Sequence, residues 1–499
     1  MQTNTDLKIP EFILKKDKWI FLFLGSIGLL FFSAAIYYKM YLLFVLPFVG
    51  LLLLFTLLNF RIVFFLLLLT LPMSIEMQLG SFGTDLPSEP LVILLAGCVI
   101  FYLVVHWRKL QTKPFKHPIF ISISALFIWS VYVTLFSTNV FLSVKYLLAK
   151  SWYLLGFFIL PLLLIKSIKS FKLFFWCLFI PTGISVVYVM IRHALEKFTF
   201  DSITSCVHPI YRNHVNYAVF ITMLLPFLYL ASTWYAQGSF KKRLLQFSIL
   251  LFLVAIYFSY TRGAWLAVGA MIVYYFILRL NSTKYLVVIS GIVAISFTIF
   301  ILKDNTYLKY SPDYEHTIYH DELAEHLTST FEMEDMSTVE RFYRWIAAVN
   351  LFKAHPLVGV GPNNFVSNYK KYTVSAYETY ISDNEEKSTV HNYFLLLLTE
   401  QGIPALLLFI VLLVIVLLTA QHAYNTAVFE QKRYIAAVTL CIIVFLLNNT
   451  LSDLVEANKV GSLFYMCLAL LINFDTTTMQ PEVLPPAKEN TTGILPSTH

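Results

Sequence analysis

Residues 391–402 read His391-Asn392-Tyr393-Phe394-Leu395-Leu396-Leu397-Leu398-Thr399-Glu400-Gln401-Gly402. They join a long polar interval, 303–391, to a long apolar run, 392–420. Elsewhere the chain alternates apolar runs with much shorter charged links. A polar interval that closes on a histidine where the chain re-enters lipid is typical of a loop that carries an active site. We therefore expect this interval to cover a site at one face of a membrane-embedded bundle.

The composition indicates that lipid surrounds most of the chain. Of the 499 residues, 58% are hydrophobic and only 13% are charged, whereas roughly a quarter of the residues in a soluble domain carry charge. A helix needs about twenty apolar residues to cross a bilayer, and helices satisfy their own backbone polar groups there. The sequence therefore predicts an all-α polytopic membrane protein with about 12–14 transmembrane helices.

Apolar runs of spanning length divide the chain into its predicted parts. We place these runs at 19–37, 41–59, 62–78, 90–106, 118–136, 147–165, 171–192, 214–235, 244–260, 262–279, 285–302, 392–420, 434–451 and 457–473. The predicted organisation is, in order, a cytoplasmic N-terminus at 1–18, transmembrane helices at 19–302, one long extracytoplasmic loop at 303–391, transmembrane helices at 392–473 and a Pro/Thr-rich, disordered cytoplasmic tail at 474–499.

Lysine and arginine predict the orientation, because short cytoplasmic loops are enriched in them. With the N-terminus in the cytoplasm, the basic links fall inside; they carry Arg61, Arg108, Lys109, Lys113, Lys116, Lys166, Lys169, Lys172, Lys241, Lys242, Arg243, Arg279, Lys284, Lys432 and Arg433. The net charge of +7 is thus spread over short links, and no nucleic-acid partner is expected. The loop 193–213, the turn 260–263 and the interval 303–391 fall on the outer face.

The long interval contains its own structural signals. Ser337-Thr338-Val339-Glu340 fits a capping box, and apolar residues then recur at helical spacing until His355-Pro356 ends the pattern. Arg341 and Arg344 share another side of that helix. The segment 359–365, Gly-Val-Gly-Pro-Asn-Asn-Phe, predicts a tight turn. We expect an amphipathic helix that lies on the membrane surface and roofs a cavity.

Two arginines stand out against the low charge of the chain. Arg212 precedes a spanning helix, and Arg262 lies in a turn between two spanning helices. An arginine near hydrocarbon is costly unless it has a partner, and neither has an acid close by in sequence. A bound anion would serve, since the guanidinium group matches phosphate oxygens. The alternative is that both side chains extend to lipid headgroups.

Other polar residues near the outer face have two interpretations each. His391 is either a general base or a helix-start histidine bonded to its own loop; His208 and His214 are rival histidines. Glu400 either bonds backbone freed by the Gly-Ile-Pro break or faces the cavity. The acidic residues Glu332, Glu334 and Asp335 favour a solvated surface over a metal site. The five cysteines are scattered and predict no disulfide framework.

Three motifs resemble the O-antigen ligase and O-antigen polymerase superfamily, which includes bacterial O-oligosaccharyltransferases. The first is Ser259-Tyr260-Thr261-Arg262-Gly263-Ala264-Trp265-Leu266-Ala267. The second runs from Arg341, Trp345 and Ala348 to Pro356-Leu357-Val358-Gly359-Val360-Gly361-Pro362-Asn363-Asn364-Phe365. The third is His391, followed by Gly402. Their order and shared placement make the set more specific than each motif alone.

The resemblance implies a GT-C-like fold in the bacterial inner membrane, with the site facing the periplasm. It implies a cofactor-free, metal-independent enzyme that moves a glycan from undecaprenyl diphosphate to a hydroxyl of a lipid A core, another glycan or a protein. By motif match, Arg262, Arg212 and His391 correspond to catalytic residues, and Arg341 to a loop arginine. We add Arg344, His214 and Glu400 as candidate substrate-binding residues. Direct displacement would invert the anomeric centre.

Two functions of other classes remain open from the sequence. A transporter or flippase of lipid-linked sugar would place charged groups near mid-bilayer and show internal repeats; the notable charges instead cluster at one face. A membrane scaffold would use the long loop to dock a protein partner. The choice among ligase, polymerase and oligosaccharyltransferase also stays open.

Overall fold

The computed structural model describes residues 46–79, 82–303, 336–373 and 388–476, together with positions 26, 30, 33, 36 and 37. Within these residues the protein is helical apart from one β-hairpin. Helices α1 to α15 span Leu46–Thr70, Ser88–His106, Pro118–Thr134, Val140–Leu164, Ile168–Leu195, Phe200–Val207, His214–Ser232, Phe240–Tyr257, Arg262–Arg279, Thr283–Leu302, Met336–Ala354, Phe365–Tyr369, Tyr393–Thr426, Phe429–Asn449 and Asn458–Thr476. Strands β1 and β2 span Ile75–Leu79 and Phe82–Leu86.

Length and composition show which helices can cross a bilayer. Among the described residues, eight helices qualify, namely α2, α4, α5, α7, α9, α10, α13 and α15, and two shorter apolar helices span Asn59–Met73 and Pro118–Thr134. The protein is an all-α polytopic membrane protein, which confirms the predicted fold class. The predicted span 19–37, the segment 1–18, the tail beyond 476 and the interval parts 304–335 and 374–387 lie outside the continuously described ranges.

Polar caps fix several helix starts on the side that carries the candidate residues. The side chain of Asn213 accepts a hydrogen bond from the Asn216 N–H at 2.9 Å at the start of α7, and Asn392 accepts one from the Leu395 N–H at 3.0 Å at the start of α13. Such caps satisfy amide groups that a helix start leaves unpaired. Each cap directly follows Arg212 or His391, so each of these side chains is held at the mouth of a helix.

Hydrogen bonds between helix ends mark two faces of the bundle. We call the face with Arg212, Arg262 and His391 the site face; there, Asn392 at the start of α13 donates to the Thr450 carbonyl beyond the end of α14, at 2.9 Å. We call the other the opposite face; there, Asn425 near the end of α13 donates to the Asn281 side chain at 2.8 Å. The three segments expected on one face, 193–213, 260–263 and the interval, accordingly begin or end at the site face.

The bundle has a buried centre and a peripheral edge. The most apolar windows of α7 and α15 are 83% and 89% buried within the protein, whereas that of α10 is 6% buried. Helix α14 packs against both central helices, and Phe445 stacks on Phe464 with ring centroids 3.8 Å apart. The central helices α7 and α15 therefore form the scaffold on which the site-face loops rest.

The predicted span 62–78 extends too far at its C-terminal end, because the helix stops at Thr70. Helix α1 breaks at Asn59 and stops at Thr70, and an antiparallel hairpin then pairs Ile75 with Leu86 and Glu76 with Asp85. Pro72 supplies no backbone donor to continue a helix, and the charges of Glu76 and Asp85 are unfavourable within lipid. The hairpin pairs its backbone groups locally at the site face, so the chain turns there without a longer span.

The described part of the long interval contains the predicted helix. Helix α11 begins at Met336, beside the predicted capping box, and ends at Ala354 before His355-Pro356. It packs on α13 with its small side chains Ala347 and Ala348 fully buried, and the Trp345 indole donates to the Val390 carbonyl at 3.1 Å. Helix α11 is therefore fastened to the bundle directly beside His391, rather than lying free on a membrane surface.

Candidate active site

His391 lies directly before Asn392, the residue that caps α13, and is outside the helix. Its φ of 53° lies in the left-handed region, which a non-glycine residue rarely adopts and which often marks a functional position. The following Asn392 both caps α13 and bonds the Thr450 carbonyl. The His391 side chain is 34% exposed. Its ring is thus held in a fixed place while it stays accessible.

Within the described residues, Asp453 carries the carboxylate beside the His391 ring, although the two residues are far apart in sequence. The His391 Nδ1 atom and the Asp453 Oδ1 atom are 4.0 Å apart, and the Thr389 hydroxyl donates to the other oxygen, Oδ2. Burial raises the pKa of Asp453, and the positive charges of Arg212 and Arg344 oppose that rise. The imidazole and the carboxylate can pair when a proton is added to His391.

The positive charges of three predicted arginines act on His391. Burial, followed by the positive charges of Arg344, Arg341 and Arg212 in that order, lowers the pKa of His391 from 6.5 to about 3. His391 is therefore neutral at physiological pH, so a ring nitrogen is free to accept a proton. The structure brings together Arg212 from the loop before α7, two arginines of α11 and the histidine before α13.

Arg344 is the most buried of these cations. Its side chain is 4% exposed, and Nη1 lies 3.6 Å from Oε2 of Glu340 one helical turn away. Within the part of the chain that the structure describes, the Nε atom of Arg344 has no hydrogen-bond partner. A buried guanidinium N–H normally finds an acceptor. This donor is suited to an anion that reaches the site from outside the protein.

Arg262 is the first residue of α9 and shares the site face. The next residue, Gly263, lies so close to α14 that an added Cβ would be 2.9 Å from Oδ1 of Asn448. Two residues further along that chain, the Thr450 carbonyl accepts the hydrogen bond from Asn392. The segment 448–453 thus contacts the start of α9 and the start of α13 and lies beside the His391 ring, so the backbone of Arg262 is on the same face. Arg262 is not among the charges that lower the pKa of His391.

His214 and Glu400 occupy more structural positions. The Nδ1 atom of His214 lies 2.9 Å from the Thr204 hydroxyl, which ties the start of α7 to α6. The Glu400 carboxylate accepts hydrogen bonds from the N–H groups of Asn363 at 2.7 Å and Phe365 at 2.9 Å. Of the two interpretations of Glu400, the geometry favours a bond to backbone, although the backbone is that of the 359–365 turn.

The backbone of the 359–365 turn requires glycine at two positions. Gly359 and Gly361 have φ values of 65° and 98°, which residues with a side chain adopt only at a steric cost. A Cβ at Gly359 would lie 2.3 Å from the backbone carbon of Glu400, and the Gly361 N–H donates to the Glu400 carbonyl at 2.8 Å. The sequence correctly predicts this turn, and Glu400 holds it against α13.

Sequence reasoning missed Asp453. The residue lies in a short link between two apolar runs, and its polar surroundings, Asn448-Asn449-Thr450-Leu451-Ser452, are the one local signal. Among the described residues, no group of three or more histidines, cysteines or acids has the arrangement of a metal site. The acidic residues Glu332, Glu334 and Asp335 lie outside the described residues.

The fold and the site define a multi-pass membrane protein whose arginines and neutral histidine converge on one face. A family model described as O-antigen ligase matches residues 247–410, from α8 to the first half of α13. That region contains Arg262, Arg341, Arg344, His391 and Glu400. This match covers about one third of the 499 residues, and that part of the chain is similar to the O-antigen ligase family, whose members are enzymes of the glycosyltransferase and ligase type. None of the curated proteins matches the chain.

Proposed function

We propose that the protein transfers a glycan from undecaprenyl diphosphate to an acceptor hydroxyl, as an O-antigen ligase does. One observation carries the proposal: the charges of Arg212, Arg341 and Arg344 act together on a single neutral histidine. The leaving group of such a transfer is a lipid diphosphate. Fixed guanidinium groups can stabilise the negative charge that develops on its oxygen, and they need no metal ion to do so.

The reaction is a direct displacement. The acceptor oxygen attacks the anomeric carbon, the bond from that carbon to the diphosphate oxygen breaks, and the electron pair leaves with the diphosphate. His391 takes the hydroxyl proton as the new glycosidic bond forms. Arg212 and Arg262 hold the diphosphate, Arg344 donates to one of its oxygens, and Arg341 binds the part of the donor under α11. The configuration at the anomeric carbon is inverted.

The charge arrangement also couples donor binding to the strength of the base. Burial and three positive charges hold the pKa of His391 at about 3, which makes the isolated imidazole a weak base. A bound diphosphate would offset the arginine charge and raise that pKa, while the larger cause, burial of the ring, would remain. Asp453, at 4.0 Å from Nδ1, would then stabilise the protonated ring. His391 would become an effective base chiefly when the donor is present.

The proposed location follows from the same residues. We place the protein in the bacterial inner membrane with both termini in the cytoplasm, because the basic links lie at the opposite face. The site face then opens to the periplasm. Lipid A core is the proposed acceptor; a second lipid-linked repeat would make the enzyme a polymerase, and a protein Ser or Thr would make it an oligosaccharyltransferase.

The test is glycan transfer in proteoliposomes that contain undecaprenyl-diphosphate-linked labelled glycan and, in separate reactions, each of the three acceptors. His391→Ala should lower the transfer rate by roughly 10²- to 10⁴-fold, since a general base contributes about that much. His422→Ala, on the opposite face, is the matched control and should transfer normally. Full transfer by His391→Ala would remove the general-base role. Movement of labelled lipid across the bilayer with no new glycosidic bond would indicate a transporter instead.

A further inference from the structure

The segment that carries Arg212 is held in place by cations from other helices. Residues 208–213 form a short loop between α6 and α7. Lys459, near the start of α15, donates from Nζ to the carbonyls of Pro72 at 2.9 Å and Ser74 at 3.0 Å, and also to the carbonyl of Ile210. An ammonium group has three donors, and three backbone carbonyls accept from this one. Lys459 thus joins the loop to the chain just before the β-hairpin.

Tyr211, the residue before Arg212, is also held in place by side-chain contacts. The Lys459 ammonium lies 4.4 Å from the ring centroid of Tyr211, within the range of a cation–π contact. The Tyr211 hydroxyl lies 2.8 Å from the Ser185 hydroxyl, and Tyr211 is buried. Arg212 follows immediately and is exposed. The backbone that carries this exposed guanidinium is therefore set by Tyr211 and by the contacts of Lys459.

A second cation holds the loop further upstream. The Nη1 atom of Arg192, near the end of α5, donates to the Cys206 carbonyl at 2.8 Å and to the His208 carbonyl. Carbonyls at 206, 208 and 210 thus bind cations from two different helices. These hydrogen bonds orient the backbone, because they attach side chains of neighbouring helices to it rather than pairing charge with charge.

We infer that Lys459 is a positioning residue that holds Arg212 where it can meet the donor diphosphate. This inference rests on the proposed function and deepens it. Displacing a group that contacts the reacting centre by about 1 Å can lower a rate roughly 100-fold. Lys459 would therefore act on transfer only through Arg212, and its loss should matter little once the Arg212 charge is gone.

A double-mutant cycle tests this dependence. Lys459→Met should lower the kcat/KM of transfer by roughly 10- to 100-fold, and Lys459→Arg should restore part of the loss by returning charge and donors. In an Arg212→Gln background, Lys459→Met should cause little further loss. The control is Lys113→Met, because Lys113 donates to the Thr476 carbonyl at the other end of α15, at 3.1 Å; it should leave transfer unchanged. Equal losses in both backgrounds would overturn the inference.

Hydrogen exchange supplies a measurement that needs no activity. The Tyr211 N–H donates to the Val207 carbonyl at 3.0 Å, so faster exchange across 207–213 in Lys459→Met reports release of the loop. Unchanged exchange there would overturn the inference. If the wild type showed no transfer, the proposed function would fail while this measurement still decided the role of Lys459. Lys459→Gln, which keeps two donors, replaces Lys459→Met in both measurements if the methionine variant does not fold.

Discussion

The two faces of the bundle use histidine and carboxylate in opposite ways. On the opposite face, Asp475 lies 3.2 Å from Nε2 of His117 and 3.0 Å from Nδ1 of His422, so both rings are held by direct hydrogen bonds. On the site face, the His391 ring lies 4.0 Å from Asp453, beyond hydrogen-bond distance, and three arginines act on it. The first arrangement fastens helix ends together, whereas the second leaves a neutral imidazole with one ring nitrogen able to accept a proton.

The surrounding charges determine whether a histidine beside an aspartate joins helices or stays neutral. At the opposite face, the carboxylate lies between two histidines and joins the ends of α13 and α15 to the start of α3. Among the described residues at the site face, three arginines act on His391 and oppose its protonation. An anion from outside would change that balance. Two kinds of experiment test this difference between the faces. One removes arginine charge from the site face, and the other follows stability as the pH changes.

The largest expected effect comes from removing the buried arginine charge. Arg344→Gln should lower transfer by roughly 10²- to 10³-fold, the loss seen when one donor to a developing oxyanion is removed. It should also raise the pKa of His391, because Arg344 is the strongest of the charges that depress it. The checks are kcat/KM for transfer and the His391 pKa from NMR titration of a ring-labelled sample.

A charge-conserving variant provides the control for that experiment. Arg344→Lys retains a positive charge but loses the planar set of donors. The pKa of His391 should be closer to its wild-type value in Arg344→Lys than in Arg344→Gln, while the transfer rate should still fall. An unchanged His391 pKa in Arg344→Gln would contradict the electrostatic account, whatever happened to the rate.

A smaller effect should appear in the acid stability of the protein. The pKa of His391 is about 3 in the folded protein, against 6.5 for an ordinary histidine. Between these values the unfolded chain binds the proton and the folded one does not, so stability falls as pH decreases through this window. Asp453, whose pKa is raised, contributes with the opposite sign above 3.8.

His391→Gln isolates the histidine contribution. The variant should lose less thermal stability than the wild type as the pH is lowered from about 6.5 to about 4. Melting temperatures in detergent across this range measure the effect. His422→Gln is the comparison variant. Parallel stability curves for the wild type and His391→Gln would show that the folded protein does not depress the pKa of His391.

The smallest effect is expected at the opposite face. Asp475→Asn weakens both histidine contacts, yet the His422 ring is 68% exposed, and exposed ion pairs contribute about 0–1 kcal/mol. Melting temperature should therefore fall only slightly, and transfer should stay at the wild-type rate. A large loss of transfer would mean that the two faces are coupled, which would weaken the division drawn between them.

Local sequence patterns predicted most helix bounds, because apolar run lengths and caps are local properties. Helix α9 spans Arg262–Arg279, as the apolar pattern predicted. The hairpin was missed because Ile75–Leu79, in which apolar and polar residues alternate, directly follow a long apolar run, and their pairing with Phe82–Leu86 is not a local property. A run of mixed apolar and polar residues does not by itself distinguish the end of a helix from a short strand.

The candidate site was predicted less completely than the fold. Residue type and shared face identified Arg212, Arg341, Arg344 and His391, which the structure brings together electrostatically; their chemical roles stay predictions. Asp453 could not be found, since its contact with His391 depends on how the link after α14 packs against the start of α13. Glu400 drew notice as a charge in an apolar run, but its hydrogen bonds to the 359–365 turn depend on tertiary packing.

The unpartnered Nε of Arg344 has a thermodynamic consequence. A phosphate oxygen that reached this atom would supply a hydrogen bond that the described residues do not provide. Ligand binding and folding would then be linked, and the apparent stability would grow with the logarithm of ligand concentration above its dissociation constant. Occupancy by such a phosphate ligand would thus protect the protein against unfolding, and membranes depleted of the ligand should contain its most heat-sensitive form.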